Sequence, residues 1–124
     1  MIQQKYLIKA PVEKVWAALT DEKIINKWGG GPVKFDKKVG GKFSFWGGDI
    51  WGKNLEIEEN KRLVQEWYGG DWKKPSKVTF KLMGDDDKTI VDLEHKDVPA
   101  GEEADFADGW KRYYVGEIKK LLEV

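Results

Sequence analysis

The fold of this protein is decided near its carboxyl end, by the stretch Gly109-Trp110-Lys111-Arg112-Tyr113-Tyr114-Val115-Gly116-Glu117-Ile118-Lys119-Lys120-Leu121-Leu122. From position 102 onward, aromatic and aliphatic side chains recur at helical spacing on one face, at Phe106, Trp110, Tyr113, Tyr114, Ile118 and Leu121. This pattern predicts a helix over 102–124, the longest in the molecule. A helix with one apolar face must bury that face against another element of the chain.

Short strands precede this helix and supply a surface on which it can pack. They are predicted at 33–38, 42–46, 50–59, 62–68, 77–83 and 88–96, with turns rich in Gly, Asn and Asp between them. A further strand is predicted at 4–9, where residues of the two faces alternate. Because no helix separates the six later strands, the pattern indicates an antiparallel meander.

Two short helices are predicted between the first and second strands. Pro11 suits the first turn of a helix, and apolar residues follow it at helical spacing. Thr20 and Asp21 can cap a second helix, which carries Trp28 and ends at a run of glycines. We therefore predict an α+β fold with a single domain over 1–124. In this fold a curved seven-stranded antiparallel sheet wraps around the long C-terminal helix.

The charge balance and the missing residue types narrow the classes of function. Lys and Arg number 22 and Asp and Glu number 22, so the formal net charge is zero and the overall field that attracts nucleic acid or an anionic membrane is absent. The sequence contains no cysteine, which excludes disulfides and thiolate chemistry. The first residues resemble neither a signal peptide nor a membrane span. We expect a cytoplasmic monomer that binds neither nucleic acid nor membranes.

Signatures of catalysis and of metal binding are weak. His95 is the only histidine, so one chain cannot form a two-histidine metal site or a Ser-His-Asp triad. It shares a strand face with Val91 and Leu93, and we expect a structural role for it. Residues 47–53 have the spacing of a phosphate-binding loop, but Asn54 stands where Ser or Thr is required and the chain continues as a strand. No catalytic residue, metal ion or cofactor is therefore expected.

A short internal repeat places tryptophans around two glycine turns. The two copies are Trp46-Gly47-Gly48-Asp49-Ile50-Trp51 and Trp67-Tyr68-Gly69-Gly70-Asp71-Trp72. In a meander, turns that are two apart lie at the same end of the sheet, so both copies should meet at one rim. Either the rings plug the core, which is the more common use of large aromatic side chains, or they border a cavity mouth or a partner surface.

Glu117 is the residue that fits the helical pattern least well. It falls between Trp110, Tyr113 and Leu121 in the predicted apolar face, where an unpaired carboxylate is costly. Either a Tyr or Lys of the sheet pairs with it, or the sheet stays open there and Glu117 faces a cavity. Gly116 lies beside it and removes bulk where the helix could approach a strand.

Several segments together resemble a known family. They are Ala10-Pro11-Val12-Glu13-Lys14-Val15-Trp16, the turn Trp46-Gly47-Gly48, Leu63-Val64-Gln65-Glu66-Trp67, and Val98-Pro99-Ala100-Gly101-Glu102-Glu103 leading to Gly109-Trp110-Lys111-Arg112-Tyr113-Tyr114. The family is the C-terminal domain of the activator of the 90-kilodalton heat-shock chaperone's ATPase, within the START-like (SRPBCC, birch-pollen-allergen-like) helix-grip superfamily. The resemblance implies a seven-stranded sheet that grips the C-terminal helix. It also implies either binding of an apolar ligand or contact with a chaperone.

The eukaryotic activators that the chain resembles carry a separate N-terminal domain, which contributes to chaperone binding. The 124 residues leave no room for such a domain. We therefore expect the chain to stimulate the chaperone's ATPase only weakly, because the second contact and its avidity are missing.

We predict a non-catalytic START-like binding domain, with an apolar small molecule or a chaperone-type protein as its partner. The alternative is a cofactor-independent aromatase-like or cyclase-like enzyme on the same fold, which would use a cavity carboxylate such as Glu117. The residues expected near the interior are Phe43, Trp67, Phe80, Trp110, Tyr113, Tyr114 and Glu117.

Overall fold

The computed structural model describes residues 1–123 and contains one sheet and two groups of helices. The strands are β1 (Ile2–Ile8), β2 (Lys34–Phe35), β3 (Lys42–Phe45), β4 (Ile50–Glu58), β5 (Arg62–Gly69), β6 (Ser76–Asp85) and β7 (Lys88–Lys96). The helices near the N-terminus are α1 (Val12–Thr20) and α2 (Glu22–Trp28). The C-terminal helix consists of α3 (Glu103–Gly109), a π-helical turn (Trp110–Tyr114) and α4 (Val115–Leu122). A 3-10 turn (Trp46–Gly48) joins β3 to β4.

The sheet has the order β1-β7-β6-β5-β4-β3-β2, and all its neighbouring strands run antiparallel. Strands β2 to β7 form a meander, and β1 returns to pair with β7. The predicted α+β helix-grip fold is therefore confirmed. One strand is much shorter than predicted, because after Phe35 the chain turns back on itself, with the Lys38 amide donating to the Asp36 carbonyl oxygen at 2.8 Å.

The core lies between the concave face of the sheet and the helices. Alternate residues of the strands point inward, as in β6, where Val78, Phe80 and Leu82 are all buried. The C-terminal helix covers these residues with the buried side chains of Trp110 and Tyr114. Within residues 1–123, no helix combines the length and the apolar character needed to cross a membrane.

Helix α2 ends where one wall of the candidate site begins. The Asp21 side chain caps its first turn by accepting the Lys23 amide at 2.9 Å. At its other end Gly29 has a φ of 103°, a left-handed conformation that glycine adopts without steric cost. This ending fixes the direction in which the Trp28 ring and the Gly29 carbonyl leave the helix.

The π-helical turn changes which residues of the C-terminal helix face the sheet. The Val115 amide donates to the Trp110 carbonyl oxygen, five residues back. A Cβ atom at Gly116 would lie 2.0 Å from the Lys111 carbonyl oxygen. The close approach that Gly116 permits is therefore to its own helix and not to a strand, which corrects the expectation from sequence.

Candidate functional site

A cavity of about 440 Å³ lies under the C-terminal helix. The helix forms one wall, and α2, the 3-10 turn and the first residues of β4 and last residues of β5 form the other. Most of the lining residues are aromatic, and seven of the twelve are Trp, Tyr or Phe. The site is therefore an apolar space with aromatic walls.

The helix wall consists of two rows of residues, each spaced by four positions. The inner row is Phe106, Trp110 and Tyr114, of which the last two are fully buried. The outer row, which we call the mouth row, is Asp105, Gly109, Tyr113 and Glu117. Side chains at a spacing of four share one face of a helix, so the two rows run side by side along the cavity. Tyr113 is 61% exposed, which places the mouth row at the edge of the cavity.

The opposite wall is held in place by tryptophan hydrogen bonds. The Trp46 indole Nε1–H donates to the Gly29 carbonyl oxygen at 2.8 Å, which ties the 3-10 turn to the end of α2. The Trp28 indole donates to the Ala18 carbonyl oxygen at 2.8 Å. The Trp28 ring then lies 4.7 Å, centroid to centroid, from the ring of Tyr114 on the helix wall. Both walls are therefore fixed before any ligand binds.

A buried polar cluster fixes the inner row from behind. The Trp110 indole donates to His95 Nδ1 at 3.1 Å, so the neutral imidazole carries its proton on Nε2. That Nε2–H faces Ser76 Oγ at 2.7 Å, and Ser76 Oγ donates in turn to the Trp67 carbonyl oxygen at 3.0 Å. Burial lowers the pKa of His95 to about 4, so the ring is neutral at pH 7. His95 therefore orients Trp110, in agreement with the structural role expected for it.

The same cluster continues on the other side of Trp67. Its indole donates to Gln65 Oε1 at 2.8 Å, and Gln65 Nε2 donates to Asn54 Oδ1 at 3.0 Å. Gln65 and Asn54 are fully buried, and the Asn54 amide group reaches the Asp36 carbonyl oxygen at 3.0 Å. Two tryptophans of the cavity wall are thus held in one orientation by satisfied, buried hydrogen bonds.

Tyr114 brings an unusual hydroxyl to the inner row. The oxygen is buried and has no hydrogen-bond partner among residues 1–123. Burial raises the pKa of this phenol far above its ordinary value, because the phenolate would lose its solvation. The group therefore stays protonated at neutral pH and is a poor acid.

Two carboxylates belong to the mouth row, Glu117 and Asp105. Glu117 Oε1 accepts a hydrogen bond from Lys120 Nζ at 3.2 Å, one turn further along the same helix. Its partner is therefore on its own helix and not in the sheet. Twelve positions separate the two carboxylates, which corresponds to roughly 18 Å along a helix axis. They do not converge on one atom of a substrate, and no cluster of metal-ligating side chains occurs in the described part of the chain.

Residues 9–123 match the family described as "Activator of Hsp90 ATPase homolog 1-like protein". The chain belongs to this family. The resemblance inferred from the sequence segments is confirmed.

Sequence relatives of this family member cover nearly all of its length. It is 32% identical over 123 residues to an uncharacterized protein of Schizosaccharomyces pombe, an alignment that covers 98% of this chain and 37% of the relative. It is 27% identical over 120 residues to activator of 90 kDa heat shock protein ATPase homolog 2 of Mus musculus, covering 95% of this chain and 36% of that protein. The chain therefore spans little more than a third of the length of these relatives.

A solved structure shares the whole fold of this family member. It is described as an HSP90 activator from Plasmodium falciparum, and it superimposes with a TM-score of 0.92 at 27% sequence identity. The superposition covers 98% of this chain and 95% of that chain. The arrangement of sheet and C-terminal helix is thus common to both proteins.

Most of the residues expected near the interior of this family member line the cavity. They are Trp67, Trp110, Tyr113, Tyr114 and Glu117. Phe43 and Phe80 are buried one layer further in, and neither is among the lining residues. The ring centroid of Phe43 lies 6.3 Å from that of Trp67, and the centroid of Phe80 lies 5.6 Å from that of Trp110.

The rest of the lining lies outside the set of seven residues that were expected near the interior. These remaining lining residues are Trp28, Gly29, Trp46, Ile50, Asp105, Phe106 and Gly109. The mouth row could have been predicted from helical periodicity, since counting back from Glu117 in steps of four gives Tyr113, Gly109 and Asp105. On the opposite wall Trp46, Ile50 and Trp67 belong to the tryptophan repeat predicted at one rim of the sheet, whereas Trp28 and Gly29 carried no comparable signal.

Of the four repeated tryptophans, two border the cavity and two lie outside it. Trp46 and Trp67 line the cavity. Trp51 instead stacks on Tyr68 outside the core, with centroids 5.7 Å apart and planes 8° apart. Trp72 packs on Phe106 at 5.1 Å and donates to Glu102 Oε2 at 3.0 Å.

Proposed function

We propose that this domain binds an apolar small molecule in the cavity under the C-terminal helix. The observation that carries the proposal is the aromatic lining of a space of about 440 Å³. Small-molecule sites occupy roughly 300–1,000 Å³ and are lined mainly by hydrophobic and aromatic side chains. Protein interiors otherwise contain few voids larger than a water molecule. A ligand would cover the aromatic side chains of the lining that stay partly or largely exposed, which are Trp46, Phe106 and Tyr113.

Binding has more support than catalysis at this site. An enzyme of the cyclase type needs an acid and a base that reach the same substrate, each within about 3 Å of the proton it transfers. Asp105 and Glu117 stand at opposite ends of the mouth row, and the Glu117 carboxylate is paired with Lys120. The hydroxyl of Tyr114 is held protonated by burial.

Native mass spectrometry of the protein purified from its host tests the proposal. The wild type is expected to carry a small molecule that denaturation releases. Gly109 lines the cavity, and a Cβ atom there meets nothing within 4 Å, so Gly109→Leu fills the mouth without strain in the backbone. This variant is expected to lose the bound mass.

The matched control is Lys111→Leu, which adds the same side chain to an exposed position of the same helix outside the cavity. It is expected to retain the bound mass. A wild type without any bound molecule, or a molecule retained equally by Gly109→Leu, would contradict the proposal.

We propose as a second function that the domain contacts a chaperone of the 90-kilodalton heat-shock class. Membership of the family suggests this partner, and one surface of the sheet supports it. On the convex face, four lysines and one glutamate lie side by side across five strands, a set that we call the lysine row: Lys42, Lys53, Glu66, Lys77 and Lys96.

The lysine row contains like charges in direct opposition. Lys42 pairs in register with Lys53, and Lys77 with Lys96, and all four are exposed. Like charges opposite each other destabilise a sheet. Two glutamates offset part of this charge: Glu66 Oε2 lies 3.9 Å from Lys53 Nζ, and Glu94 Oε1 lies 3.0 Å from Lys96 Nζ. An acidic surface on a partner would compensate the remainder and would bind faster at low salt.

Binding of the purified chaperone to immobilised domain tests this second proposal, at 50 mM and 200 mM salt. The double variant Lys53→Glu/Lys77→Glu is expected to bind at least tenfold more weakly than the wild type. The control Lys5→Glu/Lys81→Glu changes two lysines that flank Asp92 on the same face, outside the lysine row. Equal affinity of the two double variants would show that the lysine row is not the contact.

A further inference from the structure

We infer that the cavity selects a positively charged ligand, namely a molecule with an aromatic or aliphatic body and an ammonium group that lies beside Asp105. This inference rests on the proposed function, since it requires the cavity to be a ligand site. It goes further by naming the charge of the ligand and the end of the cavity at which that charge lies.

The charges that line the cavity all have one sign. In the described part of the chain, Asp105 and Glu117 are the only lining residues of the Asp, Glu, Lys, Arg or His type, and both are acidic. No Lys, Arg or His lines the cavity among residues 1–123. A ligand carboxylate or phosphate would therefore lose water without gaining a cationic partner, which is costly in an apolar space.

The aromatic walls favour a cation as well. The face of an aromatic ring carries partial negative charge, and a cation within about 6 Å of the ring centroid is attracted to it. Indole rings attract cations most strongly, and four tryptophans line this cavity. Trp46 is the one that remains partly exposed to a ligand, whereas Trp28, Trp67 and Trp110 are each 2% exposed. A neutral ligand would gain only the apolar contacts of these rings.

The two carboxylates are not equivalent, and the difference identifies one end of the cavity. Glu117 is neutralised by Lys120 at 3.2 Å. Asp105 forms no ion pair with any residue in 1–123. The free negative charge of the mouth row is thus at Asp105, next to the ring of Phe106 and one turn from Gly109.

The charged neighbours of Asp105 on the chain are acidic and supply no cation to it. Glu102, Glu103 and Asp108 lie within one turn of it on the chain. Two of these three are already paired, Glu103 with the N-terminal ammonium at 3.0 Å and Asp108 with Arg112 Nε at 3.0 Å. The partial positive charge at the start of α3 offsets roughly half a charge. A carboxylate of the mouth row remains without a cation, which a ligand ammonium would supply.

Three probes with one naphthalene body test the inference: (1-naphthylmethyl)trimethylammonium, 1-naphthaleneethanol and 1-naphthaleneacetate. Quenching of tryptophan emission reports binding, because four tryptophans line the cavity. At low ionic strength the ammonium probe is expected to bind about tenfold more tightly than the alcohol. The acetate is expected to bind more weakly than the alcohol. Equal affinities for the three probes would overturn the inference.

Two variants that each remove one carboxylate test where the ammonium group of the probe lies. Asp105→Asn is expected to weaken binding of the ammonium probe several-fold, leaving only the preference due to the aromatic rings, while the alcohol binds as it does to the wild type and shows that the cavity is intact. Asp108→Asn removes the same charge one turn away, outside the lining, and is expected to change the affinity for either probe by less than about twofold. Equal loss of ammonium binding in both variants would show that no contact at Asp105 is involved.

Failure of this inference differs from failure of the proposed function. If all three probes bind to the wild type and Gly109→Leu abolishes their binding, the cavity is a ligand site whatever the order of their affinities. If no probe binds, or if Gly109→Leu binds them as the wild type does, the ligand site itself is contradicted, and the charge preference with it.

Discussion

Trp110 has two separate contacts in the folded protein, one apolar and one polar. Its ring centroid lies 4.7 Å from those of both Trp67 and Tyr114, and its indole Nε1–H donates to His95 Nδ1. The side chain is 2% exposed. Removing it would leave a void in the inner row and an unsatisfied acceptor on the imidazole.

Trp110→Ala is therefore expected to lower the free energy of unfolding by about 3–5 kcal/mol. Truncation of a buried aromatic residue has this magnitude because the transfer of the ring and the residual cavity both contribute. Denaturation by urea, with wild type and variant compared at the same slope, measures the change. A loss below about 1 kcal/mol would place the ring on the surface and contradict the orientation of the helix.

His95 makes the stability depend on pH in a predictable direction. Its folded pKa is about 4, lowered by burial, whereas an unfolded histidine has a pKa near 6.5. Between these values the unfolded chain binds the proton more tightly than the folded chain, so stability falls as pH decreases from 6.5 to 4. This loss of stability is absent well above pH 6.5, and at pH 4 it lowers the free energy of unfolding by about 3 kcal/mol.

Unfolding of the wild type and of His95→Gln across pH 4 to 7.5 measures this contribution. The glutamine side chain does not titrate, so the carboxylates common to both proteins cancel in the comparison. The gap between the two stabilities is expected to shrink as the pH falls through this window. Parallel pH profiles would contradict the neutral, buried state of His95.

At the scale of elements, the π-helical turn is the feature that shapes the site. It inserts an extra residue between Trp110 and Val115, and Tyr114 departs from helical geometry with φ −116° and ψ −85°. The inner row can then end in a fully buried Tyr114 while its neighbour Tyr113 stays exposed. The turn thus separates a core row from a mouth row on a helix that would otherwise have one apolar face.

Two glycines of this helix are expected to respond in opposite ways to alanine. At Gly116 the added Cβ would lie 2.0 Å from the Lys111 carbonyl oxygen, so Gly116→Ala should destabilise the protein by about 1–3 kcal/mol. At Gly109 the Cβ meets nothing, so Gly109→Ala should stabilise it by about 0.5–1 kcal/mol. Thermal unfolding of both variants checks the signs. Stabilisation by both substitutions would mean that the helix is regular in solution.

The elements themselves were predictable because their signals are local. Alternation identified the strands, and glycine-rich turns separated them, so that seven strands and the helices near both ends were found from the sequence. The π-helical turn was not predictable from the spacing of apolar residues. It depends on a hydrogen bond to the fifth residue back and on the absence of a side chain at Gly116. Tyr113 was for this reason expected on the buried face.

At the scale of the whole molecule, the site depends on contacts between distant segments. Trp28, Trp46 and Ile50 reach the cavity from α2, the 3-10 turn and β4. The tryptophan repeat predicted Trp46 at a rim of the sheet, but nothing in the sequence shows that these three residues face the C-terminal helix. The helix wall was largely predicted, because its residues share one periodic stretch, whereas on the opposite wall only Trp67 was expected near the interior.

The zero net charge also conceals how the charges are distributed. Acidic residues are concentrated at the start of the C-terminal helix, where Glu102, Glu103, Asp105 and Asp108 occur within seven positions. Four lysines from four strands lie together in the lysine row on the convex face. Strand register brings lysines from separate segments side by side. The net charge of the whole sequence therefore does not reveal this local concentration of positive charge. The fold therefore brings like charges together in two places, the lysine row and the start of the C-terminal helix.

We propose the space under the C-terminal helix as a ligand site. The most direct test is an equilibrium titration with the neutral fluorescent probe N-phenyl-1-naphthylamine, performed on the wild type, Gly109→Leu and Lys111→Leu. The wild type and Lys111→Leu are expected to bind one probe per chain with equal affinity, and the probe should raise their unfolding temperatures. Gly109→Leu is expected to bind at least tenfold more weakly while remaining folded. Absence of saturable binding to the wild type, or unchanged binding to Gly109→Leu, would contradict the claim.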